Sequence, residues 1–217
     1  LMGDKLSAKQ MALACGVPVL VRTLLALENA RRVDTIVVAA REDQLVEISR
    51  LCREYGITKC AKVVRGGESR VHSVLLAALE AGDAELLAVQ DGARPLTTPE
   101  LIDETIAAAE RCGAAAPAVP VKDTVKAVGS GGTVERTLDR SVLRAVQTPQ
   151  VFQADLLKAA LQSALESRAE ITDDCGAVGR LGKTVYQTEG DEANLKITTP
   201  TDLILAEALL RAREENP

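Results

Sequence analysis

Apolar positions along the chain alternate between helical and strand periods. Val17 to Arg31 places apolar residues at helical spacing with Pro18 in the first turn, and Asp34 to Ala40 is a short β-branched run. Arg41 to Tyr55 reads as a helix closed by Gly56, and Ala61 to Arg65 as a strand that stops at Gly66-Gly67. Glu68 to Ala81 is again helical, and Leu86 to Val89 is an apolar strand expected to be buried on both faces. Thr98 to Cys112 is a helix capped by Thr97 or Thr98, followed by the apolar strand Ala114 to Val119. Four helix-strand units in a row predict an α/β fold with a doubly wound, mostly parallel sheet.

The pattern changes at Pro120. Val121 to Val128 alternates, Gly129-Ser130-Gly131-Gly132 turns, and Thr133 to Val146 runs back, so residues 120–147 read as a β-hairpin arm leaving the sheet. A two-stranded ribbon is marginal alone, and a second copy of the chain is a natural surface for it to pack on. Gln153 to Ser167 then reads as a helix, Thr184 to Gln187 as a strand, and Thr199 to Glu214 as a closing helix with Pro200 in its first turn. No internal repeat appears, and residues 1–217 read as one domain. Leu1-Met2-Gly3-Asp4 has no strand before it to begin such a sheet, so an upstream strand is expected.

In open α/β sheets ligands bind beyond the carboxyl ends of the strands, and polar clusters fall there. Leu86 to Val89 stops at Gln90-Asp91-Gly92-Ala93-Arg94-Pro95, which leaves Asp91 and Arg94 at a crevice mouth. A surface turn with a local ion pair is the bland alternative. Ser7-Ala8-Lys9-Gln10 offers Lys9 as a point charge for a polyphosphate, against the commoner solvated lysine. Gly66-Gly67-Glu68-Ser69-Arg70 with Ser73 lets backbone approach a ligand at a helix N-terminus, against a capped Gly-rich turn. Asp123-Thr124, Asp139-Arg140 and Thr148-Pro149-Gln150 lie in or beside the hairpin, where cross-strand pairing on a solvated ribbon is the ordinary reading. Lys196, in Asn194-Leu195-Lys196-Ile197-Thr198, precedes the last helix and could equally be a snorkelling edge residue.

Composition narrows the chemistry. The 217 residues are 47% hydrophobic, enough for a full core, and the formal charge of -5 argues against coating a nucleic acid while leaving room for a local basic pocket. Aromatics are Tyr55, Phe152 and Tyr186 alone, so a nucleobase would be held by backbone and polar groups rather than by stacking. The five cysteines are odd in number and scattered, and His72 is the single histidine, so neither a disulfide framework nor a zinc site is indicated. A cytoplasmic, reducing setting follows, with no apolar run near the roughly 18 residues of a membrane span. The absence of a nucleophile elbow, a Walker loop and a full GxGxxG disfavours esterases, P-loop enzymes and dehydrogenases.

Eight segments in order carry a more specific signal: Ser7-Ala8-Lys9-Gln10, Gly66 to Ser73, Asp91 to Pro95, Pro120 to Lys126, Asp139-Arg140, Gln147-Thr148-Pro149-Gln150, Ile171-Thr172-Asp173-Asp174 and Asn194 to Pro200. Together they resemble the motifs of the 2-C-methyl-D-erythritol 4-phosphate cytidylyltransferases, over nearly the whole chain. The resemblance implies a nucleotidyltransferase-type, Rossmann-like fold, and transfer of the cytidylyl group from CTP to methylerythritol phosphate with a divalent cation such as Mg²⁺. It implies a homodimer whose arm reaches the partner's site. By the same resemblance Lys9 and Lys196 neutralise charge at the triphosphate and the transferring phosphorus, and Gly67, Glu68 and Ser73 line the cytosine pocket. Asp91 and Arg94 would lie between nucleotide and substrate, with Asp91 the candidate metal ligand, and Thr124, Arg140 and Thr148 would hold the sugar phosphate. One departure stands out: the family begins with a strand and a Gly-rich loop ending in Arg-Met, and here Met2 matches that Met while Leu1 stands where the Arg belongs. Two alternatives remain open: a cytidylyltransferase for another polyol phosphate such as ribitol 5-phosphate, and a silent nucleotide-binding homologue.

Overall fold

The computed structural model describes residues 10–215. Strands β1 (Leu13–Ala14) and β2 (Val17–Pro18) form a short antiparallel pair that leads into helix α1 (Val19–Asn29). Strand β3 (Ile36–Ala40), a 3-10 turn and α2 (Leu45–Glu54) follow, then β4 (Cys60–Arg65), α3 (Arg70–Glu80), β5 (Leu86–Val89) and α4 (Pro99–Cys112). Helix α4 shows why these boundaries fall where they do. The Thr98 hydroxyl accepts from the Leu101 N–H at 3.2 Å, Pro99 occupies the first turn, and Gly113 ends the helix at φ 83°.

After α4 come β6 (Ala114–Pro120), β7 (Lys126–Val128), β8 (Val134–Thr137), β9 (Arg144–Val146) and β10 (Gln150–Gln153). The chain closes with α5 (Ala154–Glu166), α6 (Asp174–Arg180), β11 (Tyr186–Glu189) and α7 (Pro200–Glu215). The larger sheet runs β11-β6-β10-β5, with β9 also on β6. β5, β6 and β11 point one way, while β10 runs antiparallel between β5 and β6. β3 and β4 form a separate parallel pair.

Helices cover both faces, and β10 shows it directly. Successive residues on a strand point to opposite faces, and Val151 joins one core with α1, α2 and α4 residues while Phe152 joins another with α3, α5 and α6 residues. Both side chains are fully buried. A third cluster seats α7 through Ala206 and Leu210 on Val19, Leu96 and Ile197.

The sequence reading needs correction at three places. The return strand expected over Thr133 to Val146 is broken by a 3-10 turn at Arg140–Val142: β8 pairs with β7, whereas β9 rejoins the sheet on β6. Gln150–Gln153, unassigned in the sequence apart from Gln153 as the start of a helix, is the central strand β10, because its four residues offer too short a pattern for periodicity to classify. Helix α6 was not foreseen; its seven residues include two glycines. As expected, β5 has helices on both faces, with Leu86 packed on one core and Leu87 and Val89 on the other, and a cavity of about 610 Å³ lies between β5 and β3. Lys9 and the opening Leu1-Met2 lie outside the described residues.

The N-terminus of α7 is held by Asp202, whose carboxylate accepts from the Thr198 N–H at 2.8 Å, the Thr198 hydroxyl at 2.7 Å and the Thr199 N–H at 2.7 Å. These bonds, led by the Thr198 hydroxyl, hold the Asp202 carboxyl at about 2. A folded-state value below the unfolded one, about 3.9, means stabilisation present above pH ~4 and lost as pH falls toward 2. Thermal melts of Asp202→Asn should therefore lie below wild type at neutral pH, with the gap closing between pH ~4 and ~2; a gap constant across that range would show that the charge is irrelevant to the cap.

Candidate active site

Three segments meet at the carboxyl ends of β5 and β11: residues 90–95 after β5, 147–149 between β9 and β10, and 190–197 after β11. The ladder explains the middle one. Gln147 N–H donates to the Pro117 carbonyl at 2.8 Å in continuation of β9, but Pro149 has no N–H to donate and its peptide with Thr148 is cis. Regular pairing lapses there, and the Thr148 hydroxyl accepts from the Asp91 N–H at 3.1 Å. Gly92 in the facing turn lets Leu20 of α1 pack close, since a Cβ there would lie 2.9 Å from Leu20 Cδ1.

Four of the residues singled out from the sequence come together here. The Asp91 carboxylate lies 2.9 Å from Lys196 Nζ and 3.7 Å from Arg94 Nε. Arg94 is nearly buried, its side chain 10% exposed, and its Nη1 donates to the Asn194 carbonyl at 2.5 Å. Burial pushes the Arg94 guanidinium below its ordinary value, and the neighbouring Asp91 charge opposes that shift. Lys196 differs in exposure: its side chain, ion-paired with Asp91, is 46% exposed.

A second group sits at the start of α3. Gly67 N–H donates to the Ser73 hydroxyl at 3.0 Å, and Ser69 caps the helix by accepting from the His72 N–H at 3.1 Å. A Cβ on Gly67 would collide with the His72 ring, so the close turn requires glycine. Glu68 is exposed beside it. Ser73 and Arg70 line the same cavity as Gln90 and Asp91, so the two groups open onto one space. Thr124 and Arg140 lie elsewhere: Thr124 is exposed before β7, and Arg140 donates to the Lys122 carbonyl in a separate hollow with Ser141 and Arg144.

Residues 3–212 match the family IspD, 2-C-methyl-D-erythritol 4-phosphate cytidylyltransferase. A protein of that name from Bacillus cereus is 42% identical over 199 residues, 92% of this chain and 88% of the relative. The chain belongs to this cytidylyltransferase family. Solved structures agree: the synthase of 4-diphosphocytidyl-2C-methyl-D-erythritol from Anaerococcus prevotii superposes with a TM-score of 0.83 at 30% identity, covering 92% of this chain and 88% of that one. The cytidylyltransferase from Thermus thermophilus gives 0.77 at 34% identity, with 94% and 95% covered.

The structure of this cytidylyltransferase also assigns partners to residues whose importance sequence reasoning did not resolve. Arg70 pairs with Asp174 through two bonds of 2.9 and 2.7 Å, and the Asp174 side chain is completely buried while Arg70 is 35% exposed. Burial works against charge on Arg70, but the bonds to Asp174 outweigh it and raise the guanidinium pKa. Gln150 closes the group: its Oε1 accepts from the Asp174 and Cys175 N–H groups and its Nε2 donates to Asp173 at 2.9 Å. α3, β10 and α6 are thereby tied at the rim of the cavity. Asp173-Asp174 after Thr172 carried a legible helix-cap signal, but its partner Arg70 is distant in sequence.

Removing Asp174 leaves a partly solvated cation beside a buried gap, so Asp174→Ala should destabilise by about 2 kcal/mol, below the 3–5 of a fully buried pair. In urea denaturation, Arg70→Met should cost little more once Asp174 is gone. Additive losses from the two substitutions would mean that the pair is not coupled.

Proposed function

We propose that the Asp91, Arg94, Thr148 and Lys196 cluster is where this cytidylyltransferase joins its two substrates. The enzyme transfers the cytidylyl group of CTP to 2-C-methyl-D-erythritol 4-phosphate, giving 4-diphosphocytidyl-2-C-methyl-D-erythritol and pyrophosphate. The observation that carries the placement is Lys196, whose ammonium lies 2.9 Å from Asp91, itself a residue lining the cavity, while its side chain is nearly half exposed. A phosphate oxygen of the acceptor attacks the α-phosphorus, its bond to the pyrophosphate oxygen breaks, and negative charge shifts to the leaving group. Such a step needs aligned reactants and cations already in place more than it needs a strong base.

Each residue then has a task. Lys196, with Lys9, neutralises charge on the transferring and leaving phosphates. Gly67, Glu68 and Ser73 hold the cytosine through backbone and polar groups at the start of α3. Arg94, Thr148, Thr124 and Arg140 bind the sugar phosphate, and Asp91 orients Lys196 and Arg94. Among the described residues no three His, Cys, Asp or Glu side chains gather into a metal cage. The donor set fits a Mg²⁺ ion held chiefly by substrate phosphates and water, with Asp91 its protein ligand. When bound, such an ion neutralises phosphate charge.

The arm supports a homodimer reading. β7 and β8 pair only with each other among the described strands, and Val128 and Val134 are more than half exposed. Packing this ribbon on a second copy would cover them and carry the hollow of Arg140, Lys122 and Arg144 toward the partner's cavity. Cytoplasmic placement fits the free cysteines, and no helix among the described residues is long and apolar enough to cross a membrane.

Pyrophosphate release tests the placement. Lys196→Ala should lower turnover roughly 10²–10³-fold, the scale for losing one preorganised charge donor. Its melting temperature should barely move, because a half-exposed ion pair is worth at most about 1 kcal/mol. Undiminished turnover removes Lys196 from the site. Arg140→Ala should raise KM for the sugar phosphate at least about tenfold with CTP KM unchanged, the scale of one lost charged hydrogen bond. If the arm acts across the dimer, mixing the two variants should restore up to about a quarter of wild-type activity, since half the dimers then carry one intact site; no recovery on mixing argues for an arm that serves its own chain. Ribitol 5-phosphate should support no release.

A further inference from the structure

Asn194 has no task in the scheme above, yet its side chain is fully buried within the segment that carries Lys196. Its Nδ2 donates to the Thr148 carbonyl at 3.1 Å and to Gln147 Oε1 at 3.4 Å. Its backbone carbonyl accepts from Arg94 Nη1 at 2.5 Å, and its N–H donates to the Asp191 carbonyl at 2.9 Å. One residue therefore touches two of the four members of the cluster and precedes a third by two positions.

The surroundings hold it firmly. Gln147 grips the same segment, with Nε2 donating to the Asp191 carbonyl at 2.8 Å and Oε1 accepting from the Asp191 N–H at 3.2 Å. That approach depends on Gly190, where a Cβ would come 2.8 Å from Ala118 backbone and 2.9 Å from Gln147 Oε1. Beyond Lys196, the Ile197 N–H donates to the Ala93 carbonyl at 2.8 Å. Lys196 is thus strung between two fixed points.

Energetically the amide is a poor choice for mere packing. Among the described residues its buried Oδ1 has no hydrogen-bond partner, which costs free energy that an apolar residue of similar size would avoid. Such a local penalty is expected where a group serves function rather than stability.

We infer that Asn194 is a positioning residue for cytidylyl transfer, whose amide, bonded to the Thr148 carbonyl, sets Lys196, Arg94 and Thr148 around Asp91. The inference rests on the placement of the reaction at this cluster. Its consequence is selective: losing the amide donor should misplace the phosphate-facing charges while leaving the start of α3, and with it CTP recognition, untouched. A misplacement of about 1 Å is enough to cost on the order of 100-fold in rate.

Two variants of the full-length enzyme test this. In Asn194→Asp the carboxylate cannot donate to the Thr148 carbonyl, but the protonated acid can, and complete burial raises the pKa of an aspartate here against the opposing charge of Arg94, which is bonded to the same residue's carbonyl. Its kcat should fall on the order of 100-fold at pH 8, with KM for CTP within about threefold of wild type. Relative to wild type at each pH, its kcat should recover about tenfold or more by pH 6 as the donor returns. Asn194→Leu, which avoids the buried charge, should fold, lose kcat similarly and show no recovery at any pH. Wild-type-like kcat in a folded Asn194→Leu overturns the inference, as does an equal loss in both variants at every pH. Lys196→Ala assayed alongside separates the two levels: if it too keeps full turnover, the placement of the site fails. If only Asn194→Leu does, the positioning role alone fails.

Discussion

Much of this molecule depends on the antiparallel insertion of β10 between β5 and β6. Its register sets Gln150 opposite Val89 and Phe152 opposite both Leu87 and Ala114. With the first of these pairings made, the turn before β10 has nowhere to go but alongside the turn after β5. Thr148 then meets Asp91, and Gln150 meets the start of α6. Because Val151 and Phe152 point to opposite faces, the same four-residue strand ties together the two helical layers.

Two ion pairs at the rim of the cavity show how burial divides structural charge from chemical charge. Arg70 and Asp174 form a bidentate pair with a fully buried carboxylate, a geometry that holds elements together and offers little to a ligand. Asp91 and Lys196 form a single contact, and the Lys196 side chain stays nearly half exposed. Exchanging a carboxylate partner for a phosphate is inexpensive there, since the lysine need not be desolvated or moved far. Arg94 stands between the two, buried and spoken for by a backbone carbonyl, which favours a fixed orientation over mobility.

The β7-β8 ribbon follows a different logic. Its strands β7 and β8 are short and exposed, and its apolar positions gain nothing from the chain's own cores. Main-chain pairing within the ribbon, supplemented by contacts such as Lys126 Nζ to the Thr137 hydroxyl at 2.7 Å, is what maintains it. Segment 138–143, with its 3-10 turn at Arg140–Val142, turns the chain back so that β9 can rejoin β6.

How much of this could be read from the residues alone depends on whether the signal was local. The alternation of helices and strands as far as Ala114, the Thr98 and Gly113 ends of α4, and the glycine turn at Gly67 are local, since capping, φ angles and periodicity act within a few residues. Asp91, Arg94, Thr148 and Lys196 were each visible as polar residues at the ends of apolar runs, and the ordered motifs pointed to one family. The sequence by itself determined the α/β class, the turns and the candidate side chains. Only the tertiary structure decided that β9 and β10 both pair on β6, that Arg70 belongs to Asp174, that Arg140 lies in a hollow separate from the Asp91 cluster, and that Asn194 is buried against that cluster. Those outcomes depend on strand register and on which polar groups lose water together, and neither has a signature within any one stretch of chain.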